Sequence, residues 1–290
     1  MTSLKSLHRK ISVVYTVKKQ SRPRFPKMTN GIILPPNKWV LHDPFLICTE
    51  DWFHYPGGFD FHPHRGFEII TLVFDGLLRH QDSKGNCGVI GPSRGLLHRE
   101  VPANKETQIH LMQLWLNLPK SNKFDEATYQ DLSSDKIPTR IIKSLNGEET
   151  LAKIRVISGK SGDITGPAKN VVPIKALDIT IKKQGFTLEE DIPSNYNMFA
   201  FVLEGRGTFG FNEQILGGGN VLISPPVLDD ENTASVLPIR NDSEEDLRVF
   251  LFSGKQIKEP VVQHGPFVGN EWGDILKAKQ DFVLGKFAGL

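Results

Sequence analysis

Phe61-His62-Pro63-His64-Arg65-Gly66-Phe67-Glu68, running on into Ile69-Ile70-Thr71-Leu72-Val73-Phe74, is the stretch whose reading decides the fold. In an extended strand, side chains two residues apart share a face, so His62 and His64 project together. Pro63 points away and biases His62 towards extended backbone. Two imidazoles so placed can both reach a metal at about 2.0–2.2 Å. Taken alone, the same pair also suits the wet face of an edge strand, where proline is tolerated. A second pair changes the balance: His98-Arg99-Glu100 repeats the spacing and adds a carboxylate. If the two strands are neighbours, four nitrogen and oxygen donors converge without a thiolate. Such a set suits non-heme iron or another divalent metal of that series.

Three strings extend this reading: Gly57-Gly58…His62-Pro63-His64-Arg65-Gly66-Phe67-Glu68, Arg94-Gly95-Leu96-Leu97-His98-Arg99-Glu100, and Gln113-Leu114-Trp115-Leu116-Asn117-Leu118. With them the chain resembles the pirin family, from Asp43-Pro44-Phe45-Leu46 to Gln263-His264-Gly265-Pro266-Phe267-Val268. The resemblance implies an all-β bicupin, two cupin-type β-barrels, with one iron in the N-terminal barrel. The ligands it implies are the residues matching His62, His64, His98 and Glu100. It also implies two roles: a flavonol-cleaving quercetin 2,3-dioxygenase or, in nuclear members, a transcription cofactor. The chain departs from the family at one place. Members usually carry a stretch of the type P-G-D-x-Q-W-M-T-A before R-G-x-x-H-x-E, whereas Gly91-Pro92-Ser93 runs directly into Arg94-Gly95. About one strand's length is missing beside the site, typically 5–6 residues plus a turn.

At 290 residues the chain is long enough for two cores. Hydrophobic content of 39% and charged content of 23% fit a soluble globular protein. A net charge of +2 gives no global push towards nucleic acid or membrane. Cys48 and Cys87 make no disulfide framework and fit a reducing compartment as buried thiols. No apolar run approaches the ~20 residues of a spanning helix, so a protein integral to a membrane is not expected.

Before Asp43 every charged residue is basic, Arg9 and Lys18 among them, as in a targeting or nucleic-acid arm. Ile11 to Val17 nevertheless reads as a strand, and a basic edge strand guards against aggregation. Phe67 to Phe74 reads as a buried strand closed by the hairpin signal Asp75-Gly76. On Ile109 to Asn117, Gln113 and Trp115 share the face expected to line a cavity. His110 falls on the other face as a structural histidine, and His80 is expected to meet solvent. Arg65 and Glu68 are expected to orient or pair near the site. The polar segment from Asp125 to Pro138 reads as a linker, which divides the chain into an N-terminal barrel, 1–138, and a C-terminal barrel without metal ligands, 139–290. Phe199 to Gly207 mirrors Leu72 to Gly76, a weak internal repeat. Gly217-Gly218-Gly219-Asn220 reads as a turn, and His264 as part of a packing turn. Asn270 can cap a short C-terminal helix whose Trp272, Ile275, Leu276 and Val283 form an apolar stripe.

Two functions follow in order. The first is an iron-dependent dioxygenase acting with dioxygen on a small aromatic enol of flavonol type, with Fe(II) or another divalent transition metal as cofactor. Glu100, one of the ligands, is the candidate to release the metal and act as general base on the substrate hydroxyl; a carboxylate beside a cation titrates low, so this needs desolvation. Slightly behind it stands a non-catalytic, iron-dependent regulator that binds a protein partner. The missing strand adds a third, a degenerate pirin with a vacant site. A cytoplasmic monomer is expected, nuclear as well if eukaryotic, without direct contact to nucleic acid.

Overall fold

The histidine motif sits in a short three-stranded sheet, and neighbouring strands build a larger sheet beside it in sequence. The structure is a computed structural model and describes residues 7–22, 27–82, 89–90, 96–106, 108–125, 129–130, 132–228, 230 and 233–287. The side chains of residues 80–82, 89–90, 96–98 and 129 lie outside that description. The chain forms two compact units. One comprises Lys18–Leu132, Asn170–Val172 and the described part of Ile257–Leu290; the other, the described part of Met1–Val17, with Ser133–Lys169 and Pro173–Gln256.

The unit with the histidines contains β1 (Met28–Leu34), β2 (Phe45–Phe53), β3 (Phe59–His64), β4 (Phe67–Asp75), β5 (Leu78–Asp82), β6 (Leu96–Pro102) and β7 (Ile109–Asn117). A C-terminal hairpin, β8 (Val262–His264) and β9 (Phe267–Gly269), and helix α1 (Trp272–Val283) complete it. β3, β6 and β5 form the small sheet in that order. In the seven-stranded sheet, β4, β7, β2 and β1 are consecutive, flanked by Lys19–Ser21 on one side and by Val89–Ile90 and Tyr129–Gln130 on the other. β-Branched and aromatic residues favour this pleated, half-buried surface. Leu46, Phe67, Ile69 and Val268 pack in one apolar cluster, and Met28, Phe53, Ile109 and Leu111 in another. β4 is fully buried only from Phe67 to Ile70; beyond it the strand alternates, and Val73 is exposed, contrary to the expectation of a buried strand throughout.

The other unit pairs Thr139–Lys143, Thr150–Ser158, Ile174–Ile181, Leu247–Lys255, Tyr196–Glu204, Asn220–Ser224 and Val13–Thr16 in that order. Val13–Thr16 is thus an edge strand, as its basic flanks suggested. A second sheet joins Ala234–Asn241 to Thr187–Pro193 and Arg206–Phe209, and the core contains residues of both sheets, among them Leu177, Ile192, Leu237 and Leu251. Arg9 is no solvated arm residue: it is fully buried, and its guanidinium donates to Ser235 Oγ (2.7 Å) and to the carbonyls of Pro193 (2.8 Å) and Tyr196 (2.9 Å). Both units use the same hairpin device, with Gly76 after β4 at φ 88° and Gly205 after Tyr196–Glu204 at φ 78°. Among the described residues no helix is long and apolar enough to cross a membrane.

The C-terminal segment corrects two expectations. Helix α1 starts from Glu271, whose backbone N–H donates to Asp274 Oδ2 (3.2 Å). Asn270 is not the cap, because its amide instead donates to Glu259 (3.0 Å) and the Pro260 carbonyl (2.9 Å). Nor do Trp272, Leu276 and Val283 form the buried stripe, being 60, 65 and 84% exposed, while Ile275 is 1% exposed. The helix turns Ile275 and Ala278 inward because Phe267, Phe282 and Phe287 cluster there, their ring centroids 5.4–6.4 Å apart. The phenylalanine cluster gives the helix one apolar seat, and packing Ile275, Ala278 and Phe282 on it sets the helix rotation.

This segment is fastened to the motif. Arg65 N–H donates to the Pro266 carbonyl (3.3 Å), and Val268 N–H donates back to the Arg65 carbonyl (3.0 Å). Arg65 also pairs with Asp281 (2.8 Å), and its guanidinium lies 4.3 Å from the Phe287 ring centroid. Gly66 makes the approach feasible: at φ 92°, a Cβ there would stand 2.0 Å from the Val268 carbonyl oxygen. Gly66→Ala should therefore lower stability by roughly 3 kcal/mol or more. Urea denaturation measures the loss, and faster amide exchange at Val268 would locate it.

Candidate metal centre

β3 and β6 run antiparallel with His62 directly opposite His98, Leu96 opposite His64 and Leu97 opposite Pro63. Directly opposed residues on antiparallel strands have Cβ atoms about 4.5–5.5 Å apart on one face. An irregularity between His98 and Glu100 then sets Glu100 opposite Phe59. The two i, i+2 motifs thus lie on adjacent strands, with His62 and His98 directly opposed. The His98 side chain, the His80 side chain, Cys87 and the junction 91–95 where the family strand is missing lie outside the described residues.

His62 and His64 meet edge to face with ring centroids 4.6 Å apart. His62 Nδ1 lies 2.7 Å from the Asp60 carbonyl. A carbonyl only accepts, so Nδ1 carries the proton and Nε2 is the acceptor nitrogen of the neutral ring. Desolvation holds the His62 pKa below its ordinary value, and pushes that of His64, buried, well below, with His62 adding to the effect. Both rings are therefore neutral near pH 7, the form in which imidazole binds a metal.

Glu100 is buried, and Oε2 accepts from Gln113 Nε2 (2.8 Å) while Oε1 accepts from Thr71 Oγ1 (3.3 Å). Gln113 Oε1 in turn accepts from Trp115 Nε1 (3.2 Å). The indole can only donate, so it fixes which end of the amide faces Glu100. Desolvation raises the Glu100 carboxyl to about 7, against the lowering effect of the Gln113 and Thr71 bonds. Trp115 also stacks on Phe67 (4.2 Å) and meets the His64 ring edge to face (5.3 Å). Gln113 and Trp115 thus reach Glu100 and His64 from β7, the face that the strand pattern assigned to a cavity.

Among the described residues, no three His, Cys, Asp or Glu side chains form a metal-holding group. The donor chemistry of the described members nonetheless fits one: two neutral imidazoles side by side, and a carboxylate kept from full ionisation until a cation compensates its burial. His110 serves elsewhere, with Nε2 2.7 Å from Glu50 Oε1 and its ring stacked on Trp52. Arg65 pairs with Asp281, and Glu68 accepts from Val171 N–H (3.2 Å) and Asn170 Nδ2 (3.3 Å). Neither binding role was legible, because Asn170, Val171 and Asp281 lie more than a hundred residues along the chain.

Residues 41–116 match the pirin family, and residues 176–288 match the pirin C-terminal cupin domain. A pirin-like protein of Solanum lycopersicum is 35% identical over 84% of this chain and 81% of its own length. A protein of known structure from Geobacillus kaustophilus is 35% identical, covering 88% of this chain and all of its own, with a TM-score of 0.78. The quercetin 2,3-dioxygenase of Acinetobacter baumannii superposes with a TM-score of 0.83 at 25% identity, over 97% of this chain and 99% of its own.

The Glu68 carboxyl is raised by desolvation from its ordinary 4.5 to about 7, against the lowering effect of Val171 and Asn170. Its folded pKa exceeds the unfolded one, so between these pH values the folded state holds more protons and stability falls as pH rises. Glu68→Gln removes this contribution. The stability gain of the variant over wild type should grow from pH 4.5 to 7 and level off above, approaching roughly 3 kcal/mol. Paired denaturation curves across pH 4–8 measure it; a pH-independent difference would refute it.

Proposed function

The chain belongs to the pirin family of bicupins, and from that premise we propose that it is a metal-dependent dioxygenase whose cation is held by His62, His64, His98 and Glu100. The observation that carries this reading is the antiparallel register that sets His62 opposite His98, with His64 on the same strand as His62 and buried Glu100 on the strand of His98, and with Trp115 and Gln113 of β7 reaching both. Fe(II) is the metal that best suits three imidazoles and one carboxylate among oxygen-using centres. Once bound, it would supply Lewis acidity and open positions for a substrate oxygen and dioxygen.

The chain's own residues supply the rest. His62 and His64 offer neutral nitrogens without first releasing protons. Trp115 and Gln113 orient Glu100 through one line of hydrogen bonds, so the carboxylate faces the site in a single rotamer. Glu100 Oε1, whose bond to Thr71 is the longer of its two, takes the hydroxyl proton of a flavonol-like enol. Burial raises its pKa to about 7 without a cation and a bound cation would lower it, so Glu100 would act as the base once released from the metal. Buried Phe67 and half-buried Trp115 stack together and hold the His64 ring edge to face, which fixes the imidazole's orientation.

Reconstitution with Fe(II) should give about one equivalent of metal per chain, and aerobic addition of quercetin should consume dioxygen and bleach the flavonol band. His64→Ala or His98→Ala should abolish both. Less than about half an equivalent bound rejects the metal site; full loading without turnover rejects the substrate class. Gln113→Leu should weaken metal binding about 10–100-fold by releasing Glu100. His110→Ala, on the other face of β7, should leave affinity unchanged; equal loss in both variants would show that Gln113 has no orienting role.

A further inference from the structure

Along β6, Arg99 and Val101 alternate with His98 and Glu100, and they line a cleft of about 460 Å3 with Tyr55, Asp60, Arg79 and Lys105. That volume lies within the range of small-molecule sites, about 300–1,000 Å3. Register explains the clustering. Arg79 on β5 is directly opposite Val101, which makes it the diagonal neighbour of Arg99 on the same face. Lys105 follows from the turn after β6.

Three cations thus face one carboxylate in a protein whose whole net charge is only +2. Among the described residues none of the three makes a salt bridge. Like charges at diagonal positions disfavour each other unless an anion lies between them. Arg99 Nε is buried and has no hydrogen-bond acceptor among the described residues. Its guanidinium rests 5.4 Å from the Phe61 ring centroid, and Lys105 Nζ lies 5.3 Å from that of Tyr55. The Tyr55 ring is itself exposed at the cleft.

We infer that this cleft binds a small organic anion, its carboxylate or phosphate group held by Arg79, Arg99 and Lys105 and its flat apolar body laid against Tyr55. Arginine matches such groups with paired N–H donors, and Arg99 Nε gains the acceptor it lacks. The modest volume of the cleft and the exposed Tyr55 ring favour a small molecule over a polyanion backbone. The cleft needs no metal, so this reading stands or falls separately from the dioxygenase assignment.

Titration calorimetry on the full chain, as purified and at low ionic strength, tests it with phenyl phosphate, benzoate and inorganic phosphate as probes. The two ring-bearing probes should each bind saturably at one site, more tightly than inorganic phosphate, and weaken as salt screens the cations. Arg79→Glu and Lys105→Glu change exposed side chains; each should weaken binding by about tenfold or more, with the thermal midpoint unchanged. Lys153→Glu, exposed on the other unit, should bind as wild type. Amide shifts at Gly57, Gly58 and Val101 would place the probe in the cleft. No saturable binding at millimolar probe, equal weakening by Lys153→Glu, or inorganic phosphate binding as tightly as phenyl phosphate would overturn the inference.

Discussion

The antiparallel register of β3 and β6 decides which residues of the two strands oppose one another, and it sets His62 against His98. A one-residue slip of β6 against β3 would send His98 and Glu100 to the opposite face, because side-chain direction alternates with every residue. The rest of the histidine unit resists that slip. Arg65, directly after β3, exchanges backbone bonds with the C-terminal hairpin and anchors to α1 through Asp281. Lys123, buried, donates to the Gly66 carbonyl (3.2 Å) and to Asn117 Oδ1 (2.6 Å), tying the same turn to the end of β7. Burial lowers this lysine to about 8, so the bonds it makes there offset a real desolvation cost.

The second constraint is electrostatic. A carboxylate fully removed from water resists ionisation, and Glu100 does so despite two hydrogen bonds. Gln113 and Trp115 hold it in place without supplying charge, since an amide and an indole are neutral donors. A positive partner would have to come from outside the side-chain network, which is the electrostatic condition a cation site meets. Neutral imidazoles on the adjacent strand complete that condition, as they add affinity for a metal without adding repulsion.

Legibility followed the range of the interactions. The i, i+2 histidines, the hairpin glycines and the Gln113/Trp115 face were all readable, because strand alternation is a local rule and each motif lies within a few residues. The two-barrel architecture came from the resemblance, and the sheets agree with it. What was not readable depended on distant partners. Nothing in Ile11 to Val17 shows that it joins the unit of Ser133–Lys169 and Pro173–Gln256, nor in residues 257–287 that they join the unit of Lys18–Leu132. Helix α1 differs for a related reason: its apolar stripe satisfies helical periodicity, but three phenylalanines decide which side faces the core.

Alternation also gives β6 two chemistries. The residues that pair with the histidine strand are separated by one position from those that line the outer cleft, and both sets are rigid because they share one ladder of backbone bonds. Arginine 99 suits this position for a physical reason. Its long stem lets the guanidinium stand away from the neutral histidine face, and Phe61 and the sheet shield its Nε from water. A lysine there would carry a compact, strongly hydrated charge and could not leave one donor buried while others face the cleft. The fold therefore places Glu100, whose burial resists ionisation, and the cationic Arg99 of the outer cleft one residue apart along a strand.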